Sequence, residues 1–320
     1  MEAQESRPPQ PPKRFSPAHH GRTPAFGSSV RHVSSPERPR VGFIGTGRLA
    51  ASFAVALARA GYQITAVGGR DFESARSLAS QLEGDAQPTT LPERVLAACE
   101  LVFLTVQDGA IEGLAARLPW QASHLVVHCS GALGLDVLQP PADAGATVGC
   151  LHPLQSFPSR NPEPDRFSNI SCGVEGREPL GGVLERIVAD LGARVIRLEG
   201  VDRALYHAAA VFASNYVVAL ASAARRLWSM AGLPPESARE ALAPLLLAVA
   251  GNISRVELED ALTGPVARGD VRTVEVQLAA LSLDPSLQEL YRLLGAELLR
   301  IAMPADPTIR GHLLRSLGPI

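Results

Sequence analysis

The chain has 320 residues, of which 46% are hydrophobic and 19% charged, with a formal net charge of −2. This composition supports a large core and excludes a wholly disordered or fibrous protein. The near-neutral balance and the 5% of aromatic residues give no basis for nucleic-acid binding. The four cysteines form no C-x-x-C pair, so we expect buried thiols in a reducing, cytoplasmic location and no metal site.

The first forty residues differ from the rest, because they hold eight prolines and seven basic residues against three acidic ones. Such a stretch cannot bury enough apolar surface to offset its ordering entropy, so we predict a disordered tail over residues 1–39. A transit peptide is a weak alternative, since prolines oppose an amphipathic helix. An over-extended start site explains the tail equally well.

From residue 40 onward, apolar strands alternate with helices. We predict strands at 40–44, 63–67, 101–105, 125–129, 147–151, 170–174 and 194–198, with helices at 48–60, at 72–82 and after residue 108. In the first helix Leu49, Phe53 and Leu57 form one apolar stripe. The alternation predicts an α/β fold with a doubly wound, mainly parallel Rossmann sheet, which we assign to a dinucleotide-binding domain over residues 40–200.

After residue 200 the predicted elements are all helical, at 203–230, 235–256, 267–283 and 285–303. We therefore predict a second, helical substrate domain over residues 201–320. Residues 204–224 carry no formal charge, which is the length of a membrane span. Alanine dominates this stretch and polar residues interrupt it, so we expect a buried central helix and no membrane partner.

A glycine-rich turn, Gly45-x-Gly47-x-x-Ala50, joins the first predicted strand to the first helix. The first glycine permits the tight turn, and the second lets the backbone approach a pyrophosphate. Unpaired N–H groups at the helix N-terminus then attract the phosphates. The turn predicts a dinucleotide site whose contacts come from Gly45, Thr46, Gly47, Arg48 and Leu49.

The second strand ends in Gly-Gly-Arg-Asp, with Arg70 where NAD-binding proteins usually place an acidic residue. Arginine favours a 2′-phosphate, so we predict NADP as the cofactor, with Ser74 one helical turn further on. Asp71 leaves an alternative open, because a slightly different turn offers it to the ribose. The next main strand ends at Val106 and Gln107, which we expect under the nicotinamide-side ribose.

Polar residues near strand ends and on the long helix mark a candidate reaction site. Ser130 and His152 follow two strands, at the edge where open α/β sheets bind ligands. His207 and Asn215 lie eight residues apart, so on a continuous helix they share one face, with Ser214 on the adjacent strip. We predict that this strip lines the cleft between domains. The alternative is that it satisfies buried backbone groups within the helical domain.

Hydride transfer from a nicotinamide cofactor to a carbonyl needs a group that donates a proton to the developing alkoxide. No lysine in either domain can be this donor, because the only lysine, Lys13, lies in the tail. Histidine titrates nearest neutral pH, so we predict His207 as donor, with His152 second. Arg268 is a candidate for holding a substrate carboxylate. Equally, Arg268 and Asp270 are consistent with paired surface charges at the start of a helix.

Six segments together resemble one family: VGFIGTGRLA, TVQD, HCSGALG, LHPLQSF, YHAAAVFASNY and LTGPVARGD. It is the family of Rossmann-like NADP oxidoreductases with an uncharacterised helical C-terminal domain. They belong to the 6-phosphogluconate dehydrogenase-like superfamily, alongside ketopantoate reductases and pyrroline-5-carboxylate reductases. The resemblance covers residues 40–318. It implies a cofactor cleft between two domains, a small-molecule substrate and a homodimer built through the helical domain.

The resemblance also implies a reaction: NADP-dependent reduction of a small 2-oxo acid, with ketopantoate the leading candidate. Two alternatives remain open, a pyrroline-5-carboxylate-type imine reductase and a non-catalytic regulator that binds NADP. Asn215 matches the asparagine of the superfamily's dehydrogenases. The lysine one turn before it is missing, since Val211 holds that position. A lysine-dependent mechanism is therefore not expected here.

Overall fold

Eight strands form the sheet of the structure, a computed structural model that describes residues 38–82, 84–302 and 306–318. Apart from residues 38 and 39, the predicted disordered tail lies outside these described residues. The strands are β1 (Val41–Ile44), β2 (Ile64–Gly68), β3 (Gln87–Thr89), β4 (Leu101–Leu104), β5 (Leu125–His128), β6 (Thr147–Pro153), β7 (Ser171–Gly176) and β8 (Arg194–Arg197).

The strand order is β3-β2-β1-β4-β5-β6-β7-β8, and every neighbouring pair is parallel except β6 and β7. The order reverses at β1, which creates a crevice at the carboxyl ends of β1 and β4. This arrangement confirms the predicted doubly wound, mainly parallel Rossmann sheet. The short strand β3 was not predicted, because its sequence, Gln-Pro-Thr, has no apolar period.

Helices cover both faces of the sheet and then continue alone to the end of the described chain. They are α1 (Arg48–Arg59), α2 (Phe72–Ala79), α3 (Pro92–Ala98), α4 (Asp108–Arg117), α5 (Gln139–Asp143), α6 (Leu180–Asp190), α7 (Arg203–Ala213), α8 (Asn215–Met230), α9 (Ala238–Ile253), α10 (Leu258–Ala261), α11 (Val271–Ala280), α12 (Pro285–Ala302) and α13 (Pro307–Leu317). Helices α3, α5, α6, α10 and α13 were not predicted.

Two apolar cores flank the sheet, one on each face. Phe43 of β1 packs with Phe53 of α1 on the first face, whereas Ile44, the next residue, belongs to the core on the second face. Neighbouring side chains of a strand point to opposite faces, so a strand buried on both faces reads as a continuous apolar run. This explains why VGFI and LVFL predicted these strands so directly.

The helical region has one small core of its own, in which α11, α12 and α13 bury Val274, Leu299 and Leu313. By contrast, no residue of α7 or α8 is buried. The expected buried central helix is therefore wrong for the single chain. Residues 203–230 are long and apolar enough to cross a membrane by length and composition alone.

The predicted helix over 203–230 is also interrupted. Ser214 has φ −131° and ψ −72°, which ends α7 and begins α8. Its hydroxyl donates to the carbonyl oxygen of Ala210 at 2.6 Å, a bond from the side chain back to the preceding turn. Residues 207 and 215 therefore lie on different helices, and eight-residue spacing no longer places them on one face. The predicted domain boundary at residue 200 stays a prediction.

Candidate functional site

The turn between β1 and α1 requires its first glycine. Gly45 has φ +118°, and a Cβ there would lie 2.4 Å from the carbonyl oxygen of Thr105. The Thr105 hydroxyl donates to the carbonyl oxygen of Gly45 at 2.9 Å, which fastens the turn to the end of β4. Any other residue at position 45 would be strained in its backbone and would collide with β4.

Position 47 requires a glycine for a different reason, which is the space that a missing side chain leaves for a ligand. Gly47 is the N-cap of α1 with extended torsions, and a Cβ there would meet only the Thr105 oxygen, at 3.9 Å. The space above Gly47 is open, α1 has no side-chain cap, and its first turn has no acidic residue. Free N–H groups and the positive end of the helix dipole therefore remain for an anion. These features fit the phosphates of a dinucleotide.

The other predicted phosphate-loop residues surround this turn. Arg48 is exposed, Leu49 packs against the core of the first sheet face, and a Cβ at Gly69 would lie 2.9 Å from the Thr46 methyl group. The ends of β1 and β2 therefore approach each other closely at Thr46. The loop has the geometry that the sequence predicted for it.

The end of β2 carries the three side chains that the sequence singled out there, those of Arg70, Asp71 and Ser74. Asp71 caps α2: its Oδ2 accepts from the Ser74 backbone N–H at 2.9 Å and from the Ser74 hydroxyl at 2.6 Å. These bonds hold the pKa of Asp71 below its usual value. Both Asp71 and Ser74 are thus engaged with each other, whereas Arg70 is exposed.

At the end of β4, Val106 is half-buried and Gln107, the N-cap of α4, is exposed and makes no side-chain cap. Asp108 follows as the first residue of α4. Its Oδ2 accepts a hydrogen bond from the Ser130 hydroxyl at 2.7 Å. Asp108 therefore ties the end of β4 to the loop after β5.

Three aromatic side chains meet between the sheet and α7. Nδ1 of His152, near the carboxyl end of β6, lies 2.9 Å from the Tyr206 hydroxyl. The His152 and His207 ring centroids are 6.2 Å apart. We call His152, Tyr206 and His207 the aromatic triad. The structure thus brings together the two histidines that the sequence singled out.

The electrostatic state of the triad follows from its burial. Burial first, and then the charge of His207, lower the pKa of His152 to about 4. Burial raises the pKa of Tyr206 to about 12. At neutral pH His152 and Tyr206 are therefore both uncharged and hydrogen-bonded. Nδ1 of His207 is buried and has no hydrogen-bond partner among the described residues.

The loop after β5 packs against the His152 ring of the triad. A Cβ at Gly131 would lie 2.6 Å from Cε1 of His152, so the imidazole packs directly on this glycine. The neighbouring Ser130 hydroxyl donates to Asp108 and accepts from the N–H groups of Ala132 and Leu133, each at 3.2 Å. These bonds saturate the Ser130 hydroxyl. They indicate that Ser130 orders the loop, and its predicted catalytic role stays a prediction.

His128, at the end of β5, is fully buried and structural. Its Nδ1 accepts from the Ser130 N–H at 3.2 Å, and its Nε2 lies 3.1 Å from the Gly134 carbonyl oxygen. This network assigns the proton to Nε2 of a neutral ring. Burial, followed by the charge of Arg203, lowers the pKa of His128 to about 4.

Arg203, the first residue of α7, joins the helical region to the sheet. Its guanidinium pairs with Glu175 of β7, and its Nη1 lies 3.6 Å from Sγ of Cys150. Only 9% of the Arg203 side chain is exposed. A nearly buried, paired arginine fixes the start of α7 against the strands and so positions Tyr206 and His207 one turn later.

Three predicted substrate or catalytic residues lie apart from the triad. Asn215, Ser214 and Arg268 are exposed, and no contact joins them to His152, Tyr206 or His207 in the described chain. Asp270 caps α11 by accepting from the Thr273 N–H at 3.0 Å. Arg268 therefore precedes a capped helix, as one of the two sequence interpretations holds, and its substrate role stays a prediction.

Helical spacing places Tyr206 beside Ser214 on the predicted polar strip, but neither Tyr206 nor Arg203 was predicted as a catalytic or binding residue. The signal for Tyr206 was present, since it precedes His207 on the same helix. Nothing in the sequence placed its hydroxyl at His152. Gly173 does so in the structure: it pairs with His152 in the sheet, and a Cβ there would lie 2.8 Å from the Tyr206 hydroxyl. Its lack of a side chain leaves room for the tyrosine.

Comparison with known proteins finds matches to two successive stretches of the chain, the second of which includes β7 and β8 of the sheet. Residues 25–153 match the family model of a Rossmann-like domain, and residues 170–298 match a domain of unknown function, DUF2520. No curated protein matches the chain. Protein BF3122 from Bacteroides fragilis, provisionally described as an NADP oxidoreductase, is 28% identical; the match covers 83% of this chain and 99% of that one, with a TM-score of 0.67.

A 1-pyrroline-5-carboxylate reductase from Streptococcus pyogenes shares the fold at 17% identity, with 83% of this chain and 99% of that one covered and a TM-score of 0.57. Protein TM1727 from Thermotoga maritima is 31% identical, with 82% of this chain and 98% of that one covered and a TM-score of 0.64. Identity at this level over nearly the whole of the second protein shows common family membership. The chain belongs to the family of TM1727.

Proposed function

We propose that this protein is an NADPH-dependent reductase of a small carbonyl acid, with ketopantoate the first candidate substrate. The observation that carries the proposal is the position of the aromatic triad. β1, β4, β5 and β6 are parallel, so the turn at Gly47 and the side chain of His152 both lie at the carboxyl edge of the sheet. A phosphate-binding turn and a cluster of proton-donating groups thus share the edge where such sheets bind ligands.

NADPH fits the residues at this edge. The open N-terminus of α1 at Gly47 would hold the phosphates, Arg70 would bind the 2′-phosphate, and Val106 and Gln107 would border the nicotinamide side. The relationship to BF3122, a provisionally described NADP oxidoreductase, supports the same cofactor. When bound, NADPH supplies the hydride.

Reduction of a ketone also requires a proton from the protein. The carbonyl carbon accepts the hydride, the π electron pair moves to oxygen, and the resulting alkoxide takes a proton. We assign that proton to the imidazole of His207, whose Nδ1 has no hydrogen-bond partner among the described residues. The His152–Tyr206 pair, uncharged at neutral pH, donates a hydrogen bond to the substrate oxygen and holds it beside His207.

A proton donor at the site favours a ketone over an imine as the substrate. Hydride addition to a ketone leaves an alkoxide that must take a proton, whereas hydride addition to an already protonated imine gives a neutral amine that needs no further proton. Reduction of a cyclic imine is nevertheless a second candidate, on one specific observation. The Asp108 carboxylate is exposed and accepts from Ser130, the residue before the glycine on which the His152 ring packs, so we propose that it balances a cationic iminium held at His152. Imine reduction therefore needs the negative charge of Asp108, whereas ketone reduction does not.

We further propose that the protein is a homodimer. Seventeen of the 26 exposed large hydrophobic side chains lie between residues 201 and 258 of the described chain. A contiguous apolar surface of this kind marks an interface. A second copy fits better than a membrane, since His207, Ser214, Asn215 and Ser222 interrupt the apolar stretch. The four cysteines are buried and unpaired, which supports our proposal of a cytoplasmic location.

The test is NADPH oxidation by the full-length protein with two panels of substrate, 2-oxo acids including ketopantoate and cyclic imines including 1-pyrroline-5-carboxylate. We expect turnover with a 2-oxo acid. Asp108→Asn serves as the discriminating variant: it should spare ketone reduction and impair imine reduction. Binding of NADPH without turnover on either panel would contradict the proposal and favour a cofactor-sensing regulator.

A further inference from the structure

The His152 imidazole occupies the space that a side chain at position 131 would need. Chain neighbours aside, a Cβ on Gly131 would have three ring atoms of His152 as its closest contacts: Cε1 at 2.6 Å, Nε2 at 2.8 Å and Nδ1 at 2.9 Å. The backbone itself does not demand a glycine there, because the φ of Gly131 lies outside the left-handed region. The His152 ring is therefore what excludes a side chain at this position.

The loop that carries this glycine is held in place, because the preceding Ser130 is bound through all of its polar groups. Its N–H donates to Nδ1 of the buried His128 at 3.2 Å, and its carbonyl oxygen accepts from Sγ of Cys150 at 3.5 Å. Its hydroxyl donates to Asp108 at 2.7 Å and accepts from two N–H groups of the loop. A side chain on the following glycine would therefore displace the imidazole rather than the loop.

The hydrogen bond between His152 and Tyr206 depends on the position of that ring. Carbon atoms need about 3.5 Å of separation, so a methyl group at position 131 would shift the ring by about 1 Å. Such a shift, in either direction, is incompatible with the 2.9 Å between Nδ1 of His152 and the Tyr206 hydroxyl. The bare Cα of Gly131 thus permits the contact that joins the sheet to α7.

Nε2, the other ring nitrogen of His152, is available to a ligand. It has no hydrogen-bond partner among the described residues, and it is not a buried atom. Burial raises the pKa of Tyr206 to about 12, so the phenol keeps its proton and can donate it to Nδ1. The ring proton then lies on Nε2, in the tautomer that donates a hydrogen bond to a substrate oxygen.

We propose that Gly131 is the positioning residue for His152: its missing side chain keeps Nδ1 on Tyr206 and leaves Nε2 to donate to the substrate oxygen. This inference rests on the proposed function, because it assumes that a carbonyl oxygen meets Nε2. Gly131 acts only through His152 and touches no substrate itself.

The test is a double-mutant cycle of Gly131→Ala and His152→Ala, measured as kcat with a substrate that wild type reduces. Misplacing a group by 1 Å can cost about 100-fold, so Gly131→Ala alone should lower kcat by about 10- to 100-fold with NADPH affinity unchanged. In the His152→Ala background the same substitution should change kcat by about twofold or less, because the ring that the methyl group meets is gone. Equal losses in both backgrounds would overturn the proposal, as would full activity in Gly131→Ala.

A second measurement follows the ring itself and needs no substrate. Burial, and then the charge of His207, lower the pKa of His152 to about 4, so its NMR signal in wild type should stay nearly constant above about pH 5.5. In Gly131→Ala the displaced ring should titrate above that pH, with a pKa closer to the ordinary value of about 6.5. The signal is assigned by its absence from His152→Ala. A His152 signal that behaves alike in wild type and Gly131→Ala would count against the proposal.

Gly134→Ala is the matched control on the same loop. Gly134 has φ −81°, and a Cβ there would approach only the carboxyl group of Asp136, with Oδ1 at 2.7 Å. Asp136 is exposed, so its side chain can rotate away. This variant should keep both the wild-type kcat and the wild-type His152 signal. Equal loss of activity in Gly131→Ala and Gly134→Ala would assign the effect to the loop as a whole and refute the positioning role.

Urea unfolding covers the case in which Gly131→Ala destabilises the fold. The overlap is with the His152 ring, so adding Gly131→Ala to His152→Ala should lower the unfolding midpoint less than adding it to wild type. The same decrease in both backgrounds would show that the alanine collides with something other than the ring, against the proposal.

These measurements separate the inference from the function on which it rests. A His152 signal that titrates only in Gly131→Ala, with no turnover of any substrate by wild type, would sustain the positioning of the ring and refute the reductase. Turnover by wild type with equal losses in both backgrounds of the cycle would do the reverse.

Discussion

The sheet region and the first helices after it differ in how completely one chain buries them. Between residues 41 and 198 both faces of the sheet are covered, and Phe43, Phe53 and Phe103 are fully buried. Between residues 201 and 258 only Ala238 is buried, although this stretch is strongly apolar. Apolar residues of the sheet region are therefore buried within the single chain, whereas those of residues 201–258 form a surface that no other part of the described chain covers.

Each of the two regions supplies part of the candidate site. The sheet region supplies the phosphate turn and His152, whereas the incompletely buried region supplies Tyr206 and His207 on α7. Arg203 and Glu175 hold the two together. The chemistry therefore depends on a helix whose own-chain packing is poor, and variants on either side of this junction test the proposed roles.

The largest expected effect is on turnover. His207→Ala should lower kcat by about 10²- to 10⁴-fold, the usual contribution of general acid catalysis, while NADPH affinity stays within a few-fold. The proposed phosphate site at Gly47 is formed by a different segment from α7, so NADPH binding should be unaffected. Steady-state rates against pH for this variant and for His152→Ala provide the measurement. We expect His152→Ala to lose less; near-full turnover in His207→Ala would make His207 a packing residue.

The second effect is on assembly. Val218 of α8 is 71% exposed in the single chain, and Val218→Glu should place an unpaired carboxylate in the proposed dimer interface. Burying such a charge costs several kcal/mol, so the dimer dissociation constant should rise by about 100-fold or more. Val276→Glu on α11, where the valine is 62% exposed, is the control. Sedimentation that shows a monomeric wild type would refute the dimer.

The third effect is on the pH dependence of folding stability, which the buried His128 of the sheet region should control. His128 has an unfolded pKa near 6.5 and a folded pKa of about 4, so between these values the unfolded state binds the extra proton. Stability is full above about pH 6.5 and declines toward pH 4, by about 3 kcal/mol for this group. Arg203 disfavours the protonated ring, while Asp108 and Asp136 partly oppose that effect.

Urea unfolding of wild type and His128→Gln between pH 7.5 and 4.5 measures this loss. His152 titrates over the same window, so His128→Gln should remove about half of the acid-side decline. A decline of equal size in both proteins would show that the buried His128 does not control acid stability.

The smallest effect is at the junction. Tyr206→Phe removes the hydroxyl that lies 2.9 Å from Nδ1 of His152 and leaves the ring in place. A net hydrogen bond contributes about 0.5–1.5 kcal/mol, so kcat should fall about 2- to 10-fold, with NADPH affinity unchanged. The apparent pKa of the acid limb should also move, because His152 loses its partner. An unchanged pH profile would leave Tyr206 with a packing role only.

The sequence by itself determined the sheet and the phosphate turn. Strands buried on both faces must be continuous apolar runs, and Gly45 must be glycine because its φ is +118°. These are local requirements, so local patterns reveal them. By contrast, β3 and α3 escaped prediction because a three-residue strand without apolar period and a seven-residue helix leave little periodic signal.

Only the tertiary structure decided which polar residues meet. Helical spacing predicted His207 with Asn215, but the break at Ser214 separates them, and sheet register instead brings His152 to Tyr206 across Gly173. Contacts between distant segments depend on packing and register, which no local pattern contains.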